Sequence, residues 1–424
     1  MKGATQIATV LPIEGIIRPY AWGSRTAIPE LLGVEPTAEP AAELWLGAHP
    51  DAPSRIRGEA RTLEEFIADE PLAALGEGVV EHFGARLPFL LKVLAADKAL
   101  SIQVHPTLAQ AREAFARQQT RQQTQGENAL LSYTDDNHKP ELVCAISDFE
   151  AFCGFRPVTQ ILDLLESIER AVGDVAASDL VMQWRNELAK PDGIRAGFSW
   201  LYELQAPSVA AVVDYLVRGC TELAITSTPW TGAAQAISRV AGDFPGDIGL
   251  AVALMLNYVV LQPGEALFLG AGNVHAYVRG LAVEVMANSD NVLRCGLTKK
   301  PLNVAEVLRI ADFTSLPDPR FRASHAGRRT SFCPPVRDFS LHRWVFTTED
   351  IAEPPEVLSC GDPRVLLVTE GSVVLTFAEQ QLIVGRGEAV FVPANVEVTM
   401  HGVGTVFEAQ PGLGNVPARP GLAL

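Results

Sequence analysis

The chain has 424 residues, 48% of them hydrophobic and 20% charged, a balance that predicts two or three domains with a sizeable core and excludes wholesale disorder. With 34 Lys+Arg against 50 Asp+Glu the net charge is -16, so binding to nucleic acid or to an anionic membrane, which needs a basic surface, is not expected. A negative chain that binds a phosphate must gather its few cations at one local site. The segment MKGATQIATVLPIEG has no continuous apolar core before Pro12 and Glu14 and does not read as a signal peptide. The most apolar run, Ile248 to Leu261, is too short to span a bilayer, so a cytoplasmic protein is expected. Six scattered cysteines without a CxxC pair indicate neither a disulfide framework nor a thiolate zinc site. Any metal is then held by nitrogen and oxygen.

From the N-terminus to about Gly154 short apolar runs alternate with turn signals, and Leu87 to Leu94 and Leu100 to Val104 read as strands. The glutamine-rich stretch Ala109 to Gln125 reads as a solvated helix ending at Gly126, with Arg112, Arg117 and Arg121 as candidates for phosphate contact. After Pro157 the period changes. Ile161, Leu164, Leu165, Ile168 and Val172 share one helical face, Thr159 is placed to cap that helix, and helical spacing continues to about Ala241. From Ile248 the β signals return, with Pro263-Gly264 and Gly270 to Gly272 at turns. A last β segment begins near Phe339, with Gly371 and Gly385 to Gly387 at its turns.

The phrase GRGEAVFVPANVEV echoes QPGEALFLGAGNVHAY, which predicts two related β-barrels. In the second, Val396 or Glu397 falls near the place of His275, so only the first barrel holds a metal. The expected architecture is mainly β, two related barrels plus an α-helical domain. Residues 1–155 and 245–320 form the catalytic part, 156–244 a helical insert, and 321–424 a C-terminal barrel without metal.

Three clusters carry candidate chemistry. Strand alternation puts Gln103 and His105 on one face, with Val104 turned the other way. Asn137, His138, Lys139 and Glu141 crowd around Pro140, and His275 ends a glycine-rich turn. A lone histidine is more often a core or surface residue than a ligand, and the remaining histidines, including His49, read as structural. Two histidines, a carboxylate and an amide oxygen with one open position suit a catalytic zinc. Beyond His275 the polar turn Met286 to Asn291 lies among Glu284, Asp290, Arg294, Lys299 and Lys300, and an arginine there holds phosphate or an oxyanion.

At these residues the chain resembles the type I phosphomannose isomerase family, zinc enzymes of the cupin superfamily, which implies that the two barrels are cupin-like jelly rolls. Tyr133, Asp135, Asn137, His138, Lys139, Pro140 and Glu141 match one family motif. A second runs from His275-Ala276-Tyr277 through Gly280, Glu284, Met286, Ala287, Ser289, Asp290, Asn291 and Arg294. YAWG, AELWLGAHP, FLLKVL and SIQVHP extend the likeness over most of the chain. Cys295 and Lys299 depart from the pattern, at positions where the family usually has alanine and proline. The resemblance implies one zinc per chain on Gln103, His105, Glu141 and His275. It also implies Arg294 near the reacting carbons, with Lys92, Glu284, Asp290 and Lys300 lining the site and His138 and Lys139 close by.

The implied reaction interconverts mannose 6-phosphate and fructose 6-phosphate through an enediol, with Glu284 the first choice of base and His138 the second. Two other readings stay open: a noncatalytic sugar-binding cupin, and an iron-dependent cupin oxygenase, against which Gln103 argues. The sequence carries no signal for the oligomeric state.

Overall fold

Two antiparallel ten-stranded sheets and a central run of helices carry the chain, in a computed structural model that describes residues 9–125, 132–173, 178–358 and 360–415. Residues 1–8, the expected helix end at Gly126 and the side chain of Arg121 lie outside the described residues. The β-rich architecture with a central helical region is the one the sequence predicts.

The first sheet contains β1 (Glu43–Leu46), β2 (Phe89–Ala96), β3 (Ile102–Val104), β4 (Glu141–Ala145) and β5 (Phe149–Phe155). After the helices come β6 (Leu256–Leu261), β7 (Ala266–Leu269), β8 (His275–Ala287) and β9 (Leu293–Gly296). Helix α1 (Leu108–Gln125) stands between β3 and β4. The helical region consists of α2 (Val158–Val172), α3 (Ser178–Leu188), α4 (Gly193–Glu203), α5 (Ala206–Leu223), α6 (Thr231–Asp243) and α7 (Gly249–Met255).

Strand β8 organises this sheet by belonging to two layers. Its first residues pair with β3 and β5, and its last with β2 and β4. The change of layer falls at Gly280, whose φ of 124° is one that L side chains rarely adopt, and a Cβ there would stand 2.5 Å from the Asp148 carbonyl oxygen. The two layers enclose Leu94, Val143, Phe149, Ala151, Val259 and Tyr277. Because side chains alternate along a strand, the same inner faces carry Lys92, Glu141, Glu284 and Gln103, while Ile102, Val104, Ala276 and Leu293 turn outward onto the helices.

Three local expectations are corrected. Thr159 does not cap α2: Pro157 holds the cap position, and the helix begins at Val158. Proline's fixed φ presets the chain for a helix start, which leaves Thr159 one residue inside. The β signal expected from Ile248 begins only at Leu256, because Gly249–Met255 is α7. Every residue of α7 is buried, so it has no polar face and its apolar run carries no helical period. Gly371 lies inside a long strand rather than at a turn, at a kink with φ 65° where a Cβ would meet the Val403 carbonyl.

The second sheet repeats the first. It includes β10 (Ser340–Phe346), β11 (Glu356–Leu358), β12 (Arg364–Phe377), β13 (Gln380–Gly385), β14 (Ala389–Val392) and β15 (Val398–Gln410), with Leu11–Glu14 paired to β14. β15 matches β8 in length, 13 residues, and in its partners. Leu358 stands opposite Val398 as Gln103 stands opposite His275, and Arg364 opposite Val392 as Glu141 opposite Leu269. The counterpart of His275 is therefore Val398, beyond the expected Val396 or Glu397, and the three corresponding positions hold Leu358, Val398 and Arg364. An apolar core joins the two sheets through Leu91, Val93 and Val285 on one side and Val365, Phe391 and Phe407 on the other.

Gly280→Ala places a Cβ against backbone at a left-handed φ and is expected to cost about 2 kcal/mol or more. Gly78→Ala, in a helix where a Cβ would meet only the Leu413 side chain at an ordinary contact distance of 3.5 Å, is expected to be neutral or stabilising by up to about 1 kcal/mol. Urea unfolding of both variants checks the difference.

Candidate metal centre and active site

The centre forms where the ends of β3, β4 and β8 meet. Cross-strand register puts Gln103 between His275 on one side and Arg294 of β9 on the other, so these three side chains stand in one row on one face. His105 follows two residues after Gln103 and keeps its side. Glu141 opens β4 on the facing layer. His105 Nε2 lies 3.4 Å and His275 Nε2 3.3 Å from Glu141 Oε2, and all three residues are almost fully buried.

Hydrogen bonds on the far side of each ring decide what these atoms can do. His105 Nδ1 is 2.8 Å from the Asn291 carbonyl oxygen, and His275 Nδ1 is 3.0 Å from the Asn273 carbonyl oxygen. A carbonyl oxygen only accepts, so each Nδ1 carries the proton and each Nε2 presents a lone pair. Two imidazole lone pairs and a carboxylate oxygen thus converge with no donor among them, and these three atoms have no hydrogen-bond partner. Burial pushes the His105 imidazole down to about 4 although Glu141 opposes it, which keeps the ring neutral. Burial alone would raise the Glu141 carboxyl, but the charge of Lys139 holds it well below the usual carboxylate range. Lys139 donates to Glu141 Oε1 and leaves Oε2 for the centre. A tetrahedral zinc with ligands at about 2.0 Å sets neighbouring ligands about 3.3 Å apart, so the donor set fits that ion. The cluster is a candidate metal site of neutral nitrogen and anionic oxygen.

A second buried network borders the first. Lys92 Nζ stands 3.4 Å from Glu284 and 3.7 Å from Glu43, over the ring of Trp45, whose indole N–H donates to Glu43 at 2.6 Å. Burial works against the Lys92 ammonium, but Glu43 and Glu284 overcome it and raise its pKa above the ordinary lysine value. Burial, and then the charge of Glu141, push the Glu284 carboxyl up, with Lys92 opposing. Tyr277 donates to Glu284 Oε1 at 2.7 Å, and burial raises that phenol in turn. At the rim Asp290 lies 3.5 Å from His49 Nε2, and Asp51 completes a second cluster with them.

Not every residue singled out from the sequence reaches the centre. Alternation turns His138 and Pro140 away from Lys139 and Glu141: His138 Nε2 faces Asp338 at 3.0 Å on the opposite side. Burial lowers the half-buried Arg294 guanidinium pKa. Lys300 is exposed and makes no ion pair with a described residue. Its loop is shaped without the family's proline: Leu297 adopts φ 52°, and Asp247 accepts from the N–H groups of Leu297 and Thr298. Glu43, Trp45, Tyr277 and Asn291 were not read from the sequence as site residues. Asn291, wholly buried, donates to the Asp135 and Asn137 carbonyls and accepts from Thr134 N–H, tying the loop before β4 to the loop that holds His105. Their presence inside matched motifs was the available signal.

A folded-over antiparallel sheet with a buried His–Glu–His cluster between its layers puts the chain in the class of β-rich proteins built around a candidate metal centre. Residues 10–158 match the family described as phosphomannose isomerase type I, catalytic domain. The mannose-6-phosphate isomerase of Escherichia coli (strain K12) is 36% identical over 397 residues, covering 92% of this chain and 96% of the relative. The Homo sapiens enzyme of that name is 32% identical, covering 92% and 95%. A variant of Salmonella typhimurium phosphomannose isomerase superposes with a TM-score of 0.85 at 33% identity, over 95% of this chain and all of that one. A mannose 6-phosphate isomerase bound with zinc and yttrium gives 0.84 at 34% identity over the same shares. The chain belongs to the type I phosphomannose isomerase family.

Replacing Lys92 by Met leaves Glu43 and Glu284 buried without their cation, an expected loss of about 3–5 kcal/mol at neutral pH. Glu284, already raised in the folded state, then rises further, so the folded protein binds more protons than the unfolded chain. Stability that is intact below the ordinary carboxyl pKa is lost as pH rises above it. Urea unfolding of Lys92→Met and the parent protein should show a larger gap at pH 8 than at pH 5.

Proposed function

We propose that this chain is a zinc-dependent aldose–ketose isomerase that interconverts mannose 6-phosphate and fructose 6-phosphate. The observation that carries the reading is the triangle of partnerless acceptors, His105 Nε2, Glu141 Oε2 and His275 Nε2, a donor set that one cation satisfies together. Full-length likeness to mannose-6-phosphate isomerases supplies the substrate. One zinc per chain is held by these residues and Gln103, with a sugar phosphate as the small-molecule partner and a cytoplasmic setting. No helix among the described residues is long and apolar enough to cross a membrane. When bound, the zinc supplies Lewis-acid polarisation of the sugar oxygens.

The chain's own residues handle the proton. Glu284, with a carboxyl raised by burial, is the base: it takes the C2 proton of the open-chain aldose while the C2–H electrons form the C1–C2 double bond and the carbonyl oxygen gains a proton. Returning the proton to C1 while the C2 hydroxyl loses its own gives the ketose. Lys92 and Tyr277, both on the Glu284 carboxylate, orient it and tune its charge. Arg294, in row with Gln103 and His275, holds negative charge on the enediol oxygens. Asp290 and Lys300 border the entrance, Lys300 as a cation for the phosphate. His138, turned to Asp338, supports the Lys139–Glu141 strand end and is not the base.

A coupled assay on mannose 6-phosphate with and without chelator tests the reading: chelation is expected to abolish turnover and zinc to restore it. Full activity in a metal-free preparation overturns it. His275→Ala should lose zinc by metal analysis, whereas His401→Ala in the second sheet should keep it.

Arg294→Ala is expected to lower kcat at least tenfold with a smaller change in KM, and Arg294→Lys to recover only part of the loss, since lysine lacks the planar fork. Steady-state kinetics at verified zinc content measures both. A change confined to KM would make Arg294 a ground-state anchor.

A further inference from the structure

On the side of β4 opposite the metal centre lies a cavity of about 350 Å³, a size typical of small-molecule sites. Strand alternation makes it separate: Lys139 and Glu141 point into the centre, whereas His138 and Pro140 form part of the cavity wall. Three arginines from distant parts of the chain line it: Arg86 before β2, Arg112 on α1 and Arg337 before β10. None of the three forms an ion pair with a described residue. Among the lining residues Asp338 is the single carboxylate, and His138 engages it at 3.0 Å. Phe83, Leu108, Phe268 and Val336 make the rest of the wall largely apolar. Asn288, on the same wall, carries a buried Oδ1 with no hydrogen-bond partner.

Three arginines without a carboxylate partner, one of them (Arg86) donating through Nε to the Phe83 carbonyl at 3.0 Å, line one concavity in a chain of net charge -16. Charges elsewhere are screened within about 8–10 Å at physiological salt, so the local arginines decide what the cavity attracts. Guanidinium forks match phosphate oxygens two at a time, and an apolar wall takes an apolar body. We propose that this cavity is a second ligand site, distinct from the metal centre, for an organic phosphomonoester whose phosphate engages Arg86, Arg112 and Arg337 and whose apolar part packs on Phe83, Phe268 and Val336. The site joins three parts of the chain that its occupant would hold together, and Arg112, a candidate for phosphate contact in the sequence, serves here.

Isothermal titration of the zinc-loaded protein with phenyl phosphate, in excess mannose 6-phosphate, tests the proposal. One site per chain is expected, with inorganic phosphate and benzoate each binding at least tenfold more weakly. The double variant Arg86→Ala/Arg337→Ala, at two exposed positions, should weaken phenyl phosphate at least tenfold while its melting temperature and isomerase kcat stay unchanged. Arg337→Glu alone should weaken it further and serves if the double variant unfolds. Binding displaced by mannose 6-phosphate, or binding unaltered in the arginine variants, overturns the proposal. Because the arginine comparison reads binding alone, it stands whether or not the chain proves to be an isomerase.

Discussion

Three buried acceptors that share no proton are the constraint around which the rest of this molecule is arranged. Taking a carboxylate and two imidazoles out of water costs several kcal/mol unless each finds a partner. Here the partners are supplied on every side but one. Lys139 takes the outer oxygen of Glu141, and the carbonyls of Asn291 and Asn273 take the Nδ1 protons of the two histidines. What remains is a pocket of lone pairs that a cation can satisfy together.

The scaffold that holds these atoms is the two-layer strand β8. A single strand that serves both layers lets His275 come from one and Glu284 from the other while they remain on the same chain, nine residues apart. The change of layer at Gly280 is what lets both face inward. In the second sheet the same plan is kept and the chemistry is absent: Leu358, Val398 and Arg364 stand where Gln103, His275 and Glu141 stand in the first, with Arg364 paired to Glu408 at 2.7 Å. The apolar face between the sheets then makes the second a buttress for the strands that carry the site.

The buried charges around the centre form a graded sequence. Glu141 is held ionised by Lys139, and Glu284 is pushed toward neutrality by burial and by Glu141 itself. Lys92 stays charged between two carboxylates. Environments that drive two neighbouring carboxyl groups apart in acidity let one bind a cation while the other exchanges a proton. Glu43 and Trp45 belong to this arrangement as fully as the residues that the motifs single out.

Much of this was legible in the chain alone. An apolar run broken only by Lys92 marked β2, the 3.6-residue period marked α2, and two dense motifs marked Glu141, His275, Glu284 and Arg294, because local periodicity and local clustering are properties of sequence. The repeat of Gly-Glu-Ala announced the second sheet, though its register fell at Val398 rather than at Val396 or Glu397. α7 escaped because a helix buried on all sides has no period to read. His138 and Lys139, adjacent in one motif, were indistinguishable in the chain, and the pleat of the strand sent one to the metal centre and the other to Asp338. Which acceptors are left without donors, which arginines meet around a cavity, and which lysine lies between two carboxylates are decided by contacts between residues far apart in the chain. Only the tertiary structure contains those distances.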